Sequence, residues 1–194
     1  MLTTTNGAKF AVVCVLACAL ILSCGIPAGA LSTKVHAQYY PWYGNPTVDG
    51  TWFHWEGNGH NPPDDLCAAF YPQLGAYSSA DANTINQHMK WLADAGVGVI
   101  CIDWWGPGDF IDTRTPLIMT IANDYGIKCD FMIDNRAKDA TWYKNCLIYI
   151  IDTYGSMPSF FRDSSLGNRP VFSMHCCRRV PVATSFLMSI TASS

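Results

Sequence analysis

Between Val35 and Ser79 the chain gathers aromatic rings, imidazoles, amides and carboxylates at short spacing. The blocks read Val35-His36-Ala37-Gln38-Tyr39-Tyr40-Pro41-Trp42-Tyr43-Gly44-Asn45-Pro46, His54-Trp55, His60-Asn61-Pro62-Pro63-Asp64-Asp65, and Phe70-Tyr71-Pro72-Gln73-Leu74-Gly75-Ala76-Tyr77-Ser78-Ser79. Rings stack on the apolar faces of pyranoses while short polar groups bond the hydroxyls, so this mixture suits carbohydrate recognition. Tyr40 and Tyr43 could bond a sugar or a carboxylate, or pack in the core. Trp42 and Trp105 are candidate stacking rings, and Trp105 could equally be a wall ring. His60, Asn61, Asp64 and Asp65 form a polar knot. Sugar contact and loop-stabilising bonds to nearby backbone are its two readings, and a metal held by His54, His60 and Asp64 is a remote third. Glycoside hydrolysis needs two carboxyl groups across the scissile bond. Asp103 and Asp134 could face one another, or each could bond a neighbouring residue or cap a loop.

These side chains need elements to hold them. Val35 to Tyr40 reads as a first strand, and Pro41 to Tyr77 as one long loop of the length usually reserved for function. Ser78-x-x-Asp81 reads as a capping box. Ile85, Met89 and Leu92 follow on one helical face, with Gly96 as terminator. Val97 to Trp105 is almost wholly apolar, as a strand buried on both faces should be. Pro116 to Tyr125 predicts a helix, Ile127 to Ile133 a strand, Thr141 to Tyr154 a helix, and Arg169 to Ser173 the start of a fourth strand. Strands alternating with helices predict right-handed βαβ units and a parallel sheet of the (β/α)8 barrel type. In such a barrel the chemistry sits at strand C-termini. Tyr39, Tyr40, Trp42, Tyr43, Asp103, Trp104, Trp105, Asp134, Asn135 and Arg136 all fall there.

A net charge of −3 and the absence of a Lys/Arg cluster argue against nucleic-acid partners. Lys9 precedes the uncharged run Phe10–Leu22, and Ala28-Gly29-Ala30 gives a small-x-small pattern. Residues 1–30 therefore read as a cleaved signal peptide or an uncleaved membrane anchor. Ile21-Leu22-Ser23-Cys24 loosely resembles a lipoprotein box. The nine cysteines include no CxxC pair, so a zinc site is not indicated. Cys101 and Cys129, in strand-like runs, read as buried free thiols. Export would permit some pairing among the others.

The motif blocks resemble glycoside hydrolase family 99, the endo-α-1,2-mannosidases and endo-α-1,2-mannanases, from about Val35 to about Phe172. The resemblance implies a (β/α)8 barrel and retaining endo cleavage of α-mannosides, so the expected partner is a mannose-containing glycan. It implies no cofactor and no metal. Two glutamates in a Trp-His-Glu-like motif late in the barrel would catalyse, one of them through an anhydro-sugar intermediate. Trp105 matches an aromatic of the distal glycone subsite, Tyr40 and Tyr43 match a Tyr-Tyr-x-Trp-Tyr-Gly-Asn-Pro block, and Asp134 stands where the family tends to carry a substrate-contacting Glu. Asp103 stands where a small hydroxyl residue is usual. The only Glu here is Glu56, so the glutamate pair has no counterpart. A barrel takes about 250 residues, whereas residues 31–172 supply three βα units and a candidate fourth strand. The expectation is the first half of a barrel, truncated before its catalytic glutamates and inactive alone, with 173–194 an aberrant, disordered tail. A non-catalytic carbohydrate-binding protein and a non-functional gene fragment are the alternatives. The place would be secreted, or Golgi membrane with a single N-terminal anchor. An open half-barrel is expected to expose an apolar inner face and to aggregate.

Overall fold

A computed structural model describes residues 30–134 and 138–174. Residues 1–29, expected to be a targeting segment, and Asn135, Arg136, Cys176, Cys177 and the rest of the chain after Met174 lie outside them. Among the described residues no helix is long and apolar enough to cross a membrane.

The elements run β1 (Ser32–Tyr39), a single turn α1 (Pro46–Asp49), α2 (Ala82–Asp94), β2 (Val97–Trp104), α3 (Thr115–Asp124), β3 (Lys128–Ile133) and α4 (Ala140–Tyr154). Three short strands follow: β4 (Arg162–Asp163), β5 (Arg169–Pro170) and β6 (Phe172–Met174). The main sheet has the order β1-β2-β3-β6, all parallel, so β2 is central between β1 and β3, as the apolar pattern predicts. At the start of β2, Gly98 lets β1 come close. A Cβ there would lie 2.4 Å from the Ser32 carbonyl, next to a register shift between Ser32 and His36.

The expected elements form within three residues at each end, the largest shift being at β1, which starts at Ser32 and not Val35, with two corrections. Asp81, not Ser78, caps α2: its carboxylate accepts from Asn83 N at 3.1 Å and from the Thr84 hydroxyl at 3.1 Å. Ser78 Oγ serves the preceding turn, accepting from Ala80 N at 3.0 Å. The expected strand at Arg169–Ser173 is split. Arg169–Pro170 pairs antiparallel with Arg162–Asp163, and Phe172–Met174 joins β3 as the sheet's edge. Pro170 has no N–H to give to a ladder, which limits it to the two-residue strand of the hairpin.

Strand alternation divides the sheet into two faces. Ile100, Ile102 and Trp104 of β2, with Cys129, Phe131 and Ile133 of β3, pack against Ile85 and Met89, Ile118 and Met119, and Leu147 and Ile150 of the helices. Val99, Cys101, Asp103, Asp130 and Met132 occupy the other face. That face is mixed, contrary to the expected apolar surface. Asp130, almost fully buried, meets His36 Nδ1 at 2.7 Å. Burial pushes its carboxyl up, opposed by hydrogen bonds from Cys101 and His36. Burial also pushes the Cys101 thiol up to about 12, helped by Asp130. Cys101 and Cys129 are buried free thiols, as read.

Asp112, which the sequence does not single out, ties the β2–α3 loop to the helices. Its buried carboxylate accepts from Trp104 Nε1 at 2.8 Å, Gly108 N at 2.7 Å, the Tyr149 hydroxyl at 2.8 Å and the Tyr154 hydroxyl. Stranding buried donors costs about 1–3 kcal/mol each. Asp112→Ala is therefore expected to lower stability by at least about 3 kcal/mol, and Asp112→Asn by less. Denaturant midpoints check this, and an Asp112→Ala midpoint equal to that of the unsubstituted chain would refute it.

Candidate functional site

The loop after β1 carries most of the candidate residues, and a buried cation organises it. Arg114, beside the first turn of α3, donates Nη1–H to the carbonyls of Pro41 at 3.2 Å and Tyr43 at 2.9 Å, and pairs through Nη2 with Asp49. Both side chains of the ion pair are almost fully buried, and the guanidinium lies 3.3 Å over the Phe110 ring. Asn45 caps α1 by accepting from Val48 N at 3.0 Å, and its Nδ2 reaches the Ala76 carbonyl at 3.1 Å. Gly44 exchanges both backbone bonds with Phe53. A Cβ on Gly44 would meet the Phe53 ring at 2.7 Å and the Asp49 carboxylate at 2.9 Å, so a larger residue would have to displace them.

The aromatic residues of this loop converge with the end of β2. Trp42 is sandwiched, with Tyr40 at 4.7 Å and 29° and His54 at 4.8 Å and 15°. Trp105 approaches Trp42 at 5.8 Å and His54 at 5.6 Å. Tyr43 stacks on buried Trp55 at 3.9 Å. Trp55 in turn donates Nε1–H to the Tyr77 carbonyl at 2.8 Å. Stacked rings at these spacings add to the stability given by burial alone. Both faces of Trp42 are taken by protein rings, and its buried Nε1–H has no acceptor among the described residues. Sugar stacking therefore falls to the rings around it: Tyr40, 41% exposed, His54, also exposed, and Trp105. Burial against these rings lowers the His54 pKa, so its imidazole favours the neutral form. A neutral ring can both donate to and accept from hydroxyls.

The other candidates lie elsewhere in the loop or at strand ends. His60 Nδ1 meets Asp65 Oδ1 at 2.7 Å, and Asn61 N donates to the same carboxylate at 3.3 Å. This is the loop-stabilising arrangement, and the imidazole beside Trp42 and Trp105 is His54. Asp64 is exposed. Among the described residues no group of three His, Cys, Asp or Glu could hold a metal. Asp134 follows β3, half-buried, its N–H bonded to the Trp104 carbonyl at 3.0 Å. A cleft of about 310 Å³ beside Trp105 is lined by Asp109, Lys138 and Trp142. Sequence pattern gave no reason to select Asp49, Arg114 or Trp142. Arg114 lies more than seventy residues from its carbonyl partners, and Trp142 reads as an ordinary first-turn residue after the Asp139 cap.

The site thus lies where strand C-termini of a parallel sheet meet a long loop, and the comparisons agree on what it belongs to. The family model described as "Glycosyl hydrolase family 99" matches residues 30–192. The chain belongs to that family. The match runs past Phe172, where the motif blocks alone end the resemblance. Among curated relatives, glycoprotein endo-alpha-1,2-mannosidase of Xenopus laevis is 38% identical over 166 residues, covering 73% of this chain and 37% of that protein. The Rattus norvegicus protein of the same name is 38% identical over 156 residues, 68% of this chain and 34% of its own. The chain spans about a third of the length of these relatives. The solved family 99 endo-alpha-mannosidase of Bacteroides thetaiotaomicron superposes with a TM-score of 0.67 at 34% identity, covering 75% of this chain and 45% of that one. A second structure of that enzyme, in complex with BIS-TRIS-propane, gives 0.66 at 35% identity. The parallel sheet is therefore part of a family 99 barrel, a half-barrel, and its mixed second face is the barrel interior.

His88 supplies a pH test. It lies between Tyr39, whose hydroxyl is 3.2 Å from Nδ1, and the edge-on Tyr77 ring, and burial lowers its pKa below 6.5. In acid the unfolded chain takes up a proton near pH 6.5 that the folded chain resists, so stability falls as pH drops through that value. The thermal midpoint of the unsubstituted chain is expected to fall more steeply between pH 7 and pH 5 than that of His88→Gln. Parallel curves would show that His88 is not a source of the slope.

Proposed function

We propose that this chain provides the mannoside-binding part of an endo-α-1,2-mannosidase site that hydrolyses α-mannosidic bonds in glycans with retention. The observation that carries the reading is the ring cluster of Tyr40, Trp42, His54 and Trp105 at strand C-termini, in a member of family 99. Tyr43 and Asp134 are the further candidates for the binding surface, and His60 and Asn61 hold the loop through Asp65. In this reading the catalytic carboxylates lie outside these 194 residues. The single glutamate, Glu56, is exposed in the loop and not at a strand end. The sequence of the first thirty residues and the names of the relatives support delivery to the secretory pathway, either secreted or held by an N-terminal anchor.

That lone glutamate also favours a second reading, a carbohydrate-binding protein that does not hydrolyse. Transcript sequence beyond the Ser194 codon separates the two. A continuing frame with a Trp-His-Glu motif supports the enzyme, and a frame without one supports the binder.

The purified chain is expected to bind α-1,2-linked mannan in a calorimetric titration and to release no disaccharide from it. Trp105→Ala should weaken binding about tenfold, the worth of one stacking ring at about 1.4 kcal/mol. Disaccharide release well above background would overturn the placement of the carboxylates and point to Asp103 and Asp134. Mannan affinity unmoved by Trp105→Ala would overturn the ring cluster as the binding surface.

A further inference from the structure

We propose that Asp103 is the positioning residue that sets the plane of Trp105, a role that makes the stacking wall depend on a buried acid. The inference rests on the mannoside-binding reading only for its functional consequence. Its structural part stands by itself.

Asp103 is the inward-facing residue one position before the end of β2, and it is completely buried. Two residues on, Trp105 is the first residue past the end of β2. The indole Nε1–H donates to Asp103 Oδ2 at 2.8 Å. A bond from an N–H to a carboxylate is stronger than one to a neutral acceptor, and the buried setting raises the cost of losing it. Trp105 meets Trp42 tilted at 54° and His54 edge-on at 64°, not face to face. The Trp42 plane, by contrast, is set by rings on both faces. Asp103 therefore does for Trp105 what Tyr40 and His54 do for Trp42.

The test reads the indole directly. In the ¹⁵N-labelled 194-residue chain, the Trp105 Nε1–H signal is identified by its loss in Trp105→Phe. Its exchange with solvent should be at least tenfold slower than that of Trp91, which is 38% exposed. Asp103→Ala should shift the Trp105 signal and raise its exchange at least fivefold while the other indole signals stay in place. Asp103→Asn, which retains an acceptor oxygen at the same reach, should restore both. Mannan affinity should fall about tenfold in Asp103→Ala and stay within twofold in Asp103→Asn. Exchange at Trp105 as fast as at Trp91 in the unsubstituted chain overturns the proposal without any variant, so a failure of Asp103→Ala to fold leaves it testable. A Trp105 signal unmoved in a folded Asp103→Ala overturns it too. Indole protection that depends on Asp103, in a chain that does not bind mannan, upholds the positioning role and sinks the mannoside reading instead.

Discussion

A single guanidinium determines where the longest loop of this molecule can lie. Arg114 is buried, and a buried cation is tolerated only when its charge is paired and its donors are occupied. Its hydrogen-bond partners among the described residues come from one stretch of loop: the Pro41 and Tyr43 carbonyls and the Asp49 carboxylate. Moving that stretch away would strand the charge, so the loop start is held against α3 although it forms little regular structure of its own. Trp42 sits between the two bonded carbonyls. The ring cluster inherits its position from an ion pair that touches none of its rings.

The alternation of β2 links this loop to the barrel. Ile100, Ile102 and Trp104 turn toward the helices, and Cys101 and Asp103 turn inward. The inward row continues through Asp130 to His36. A polar interior changes where an open half-barrel is vulnerable. The inner face has less apolar surface to wet than an aliphatic barrel would. The exposure moves to the edges of the sheet among the described residues, where Val35 is 47% and Met174 53% exposed. Edges of that kind invite pairing with other chains.

The regular part of the fold was legible because it repeats. β2 declared itself by an unbroken apolar run, α2 by Ile85 and Met89 at helical spacing, and the helix ends by Gly96 and Gly126, whose φ values are +77° and +73°. The central place of β2 followed from that same apolar run, buried on both faces. Irregular contacts were not legible, because no local pattern marks them. Asp112 is one carboxylate among many until Trp104, Tyr149 and Tyr154 close on it. His54 and His60 lie in similar Gly- and Pro-rich surroundings, and only the folded loop shows that one joins the rings while the other turns to Asp65. The Ser78 motif misled for a related reason. Asp81, three residues later, has the extended backbone of a cap and two amide and hydroxyl donors within reach of its carboxylate.

The sandwich at Trp42 and the Tyr43–Trp55 pair have an optical consequence. Chromophores held within 5 Å of one another in fixed orientation do not absorb independently, since their transition dipoles couple and their bands split. The far-ultraviolet circular dichroism of this chain therefore carries a signature of the ring cluster on top of its helices. Helix content read from such a spectrum is biased, and the same bias serves as a built-in gauge of whether the loop is seated.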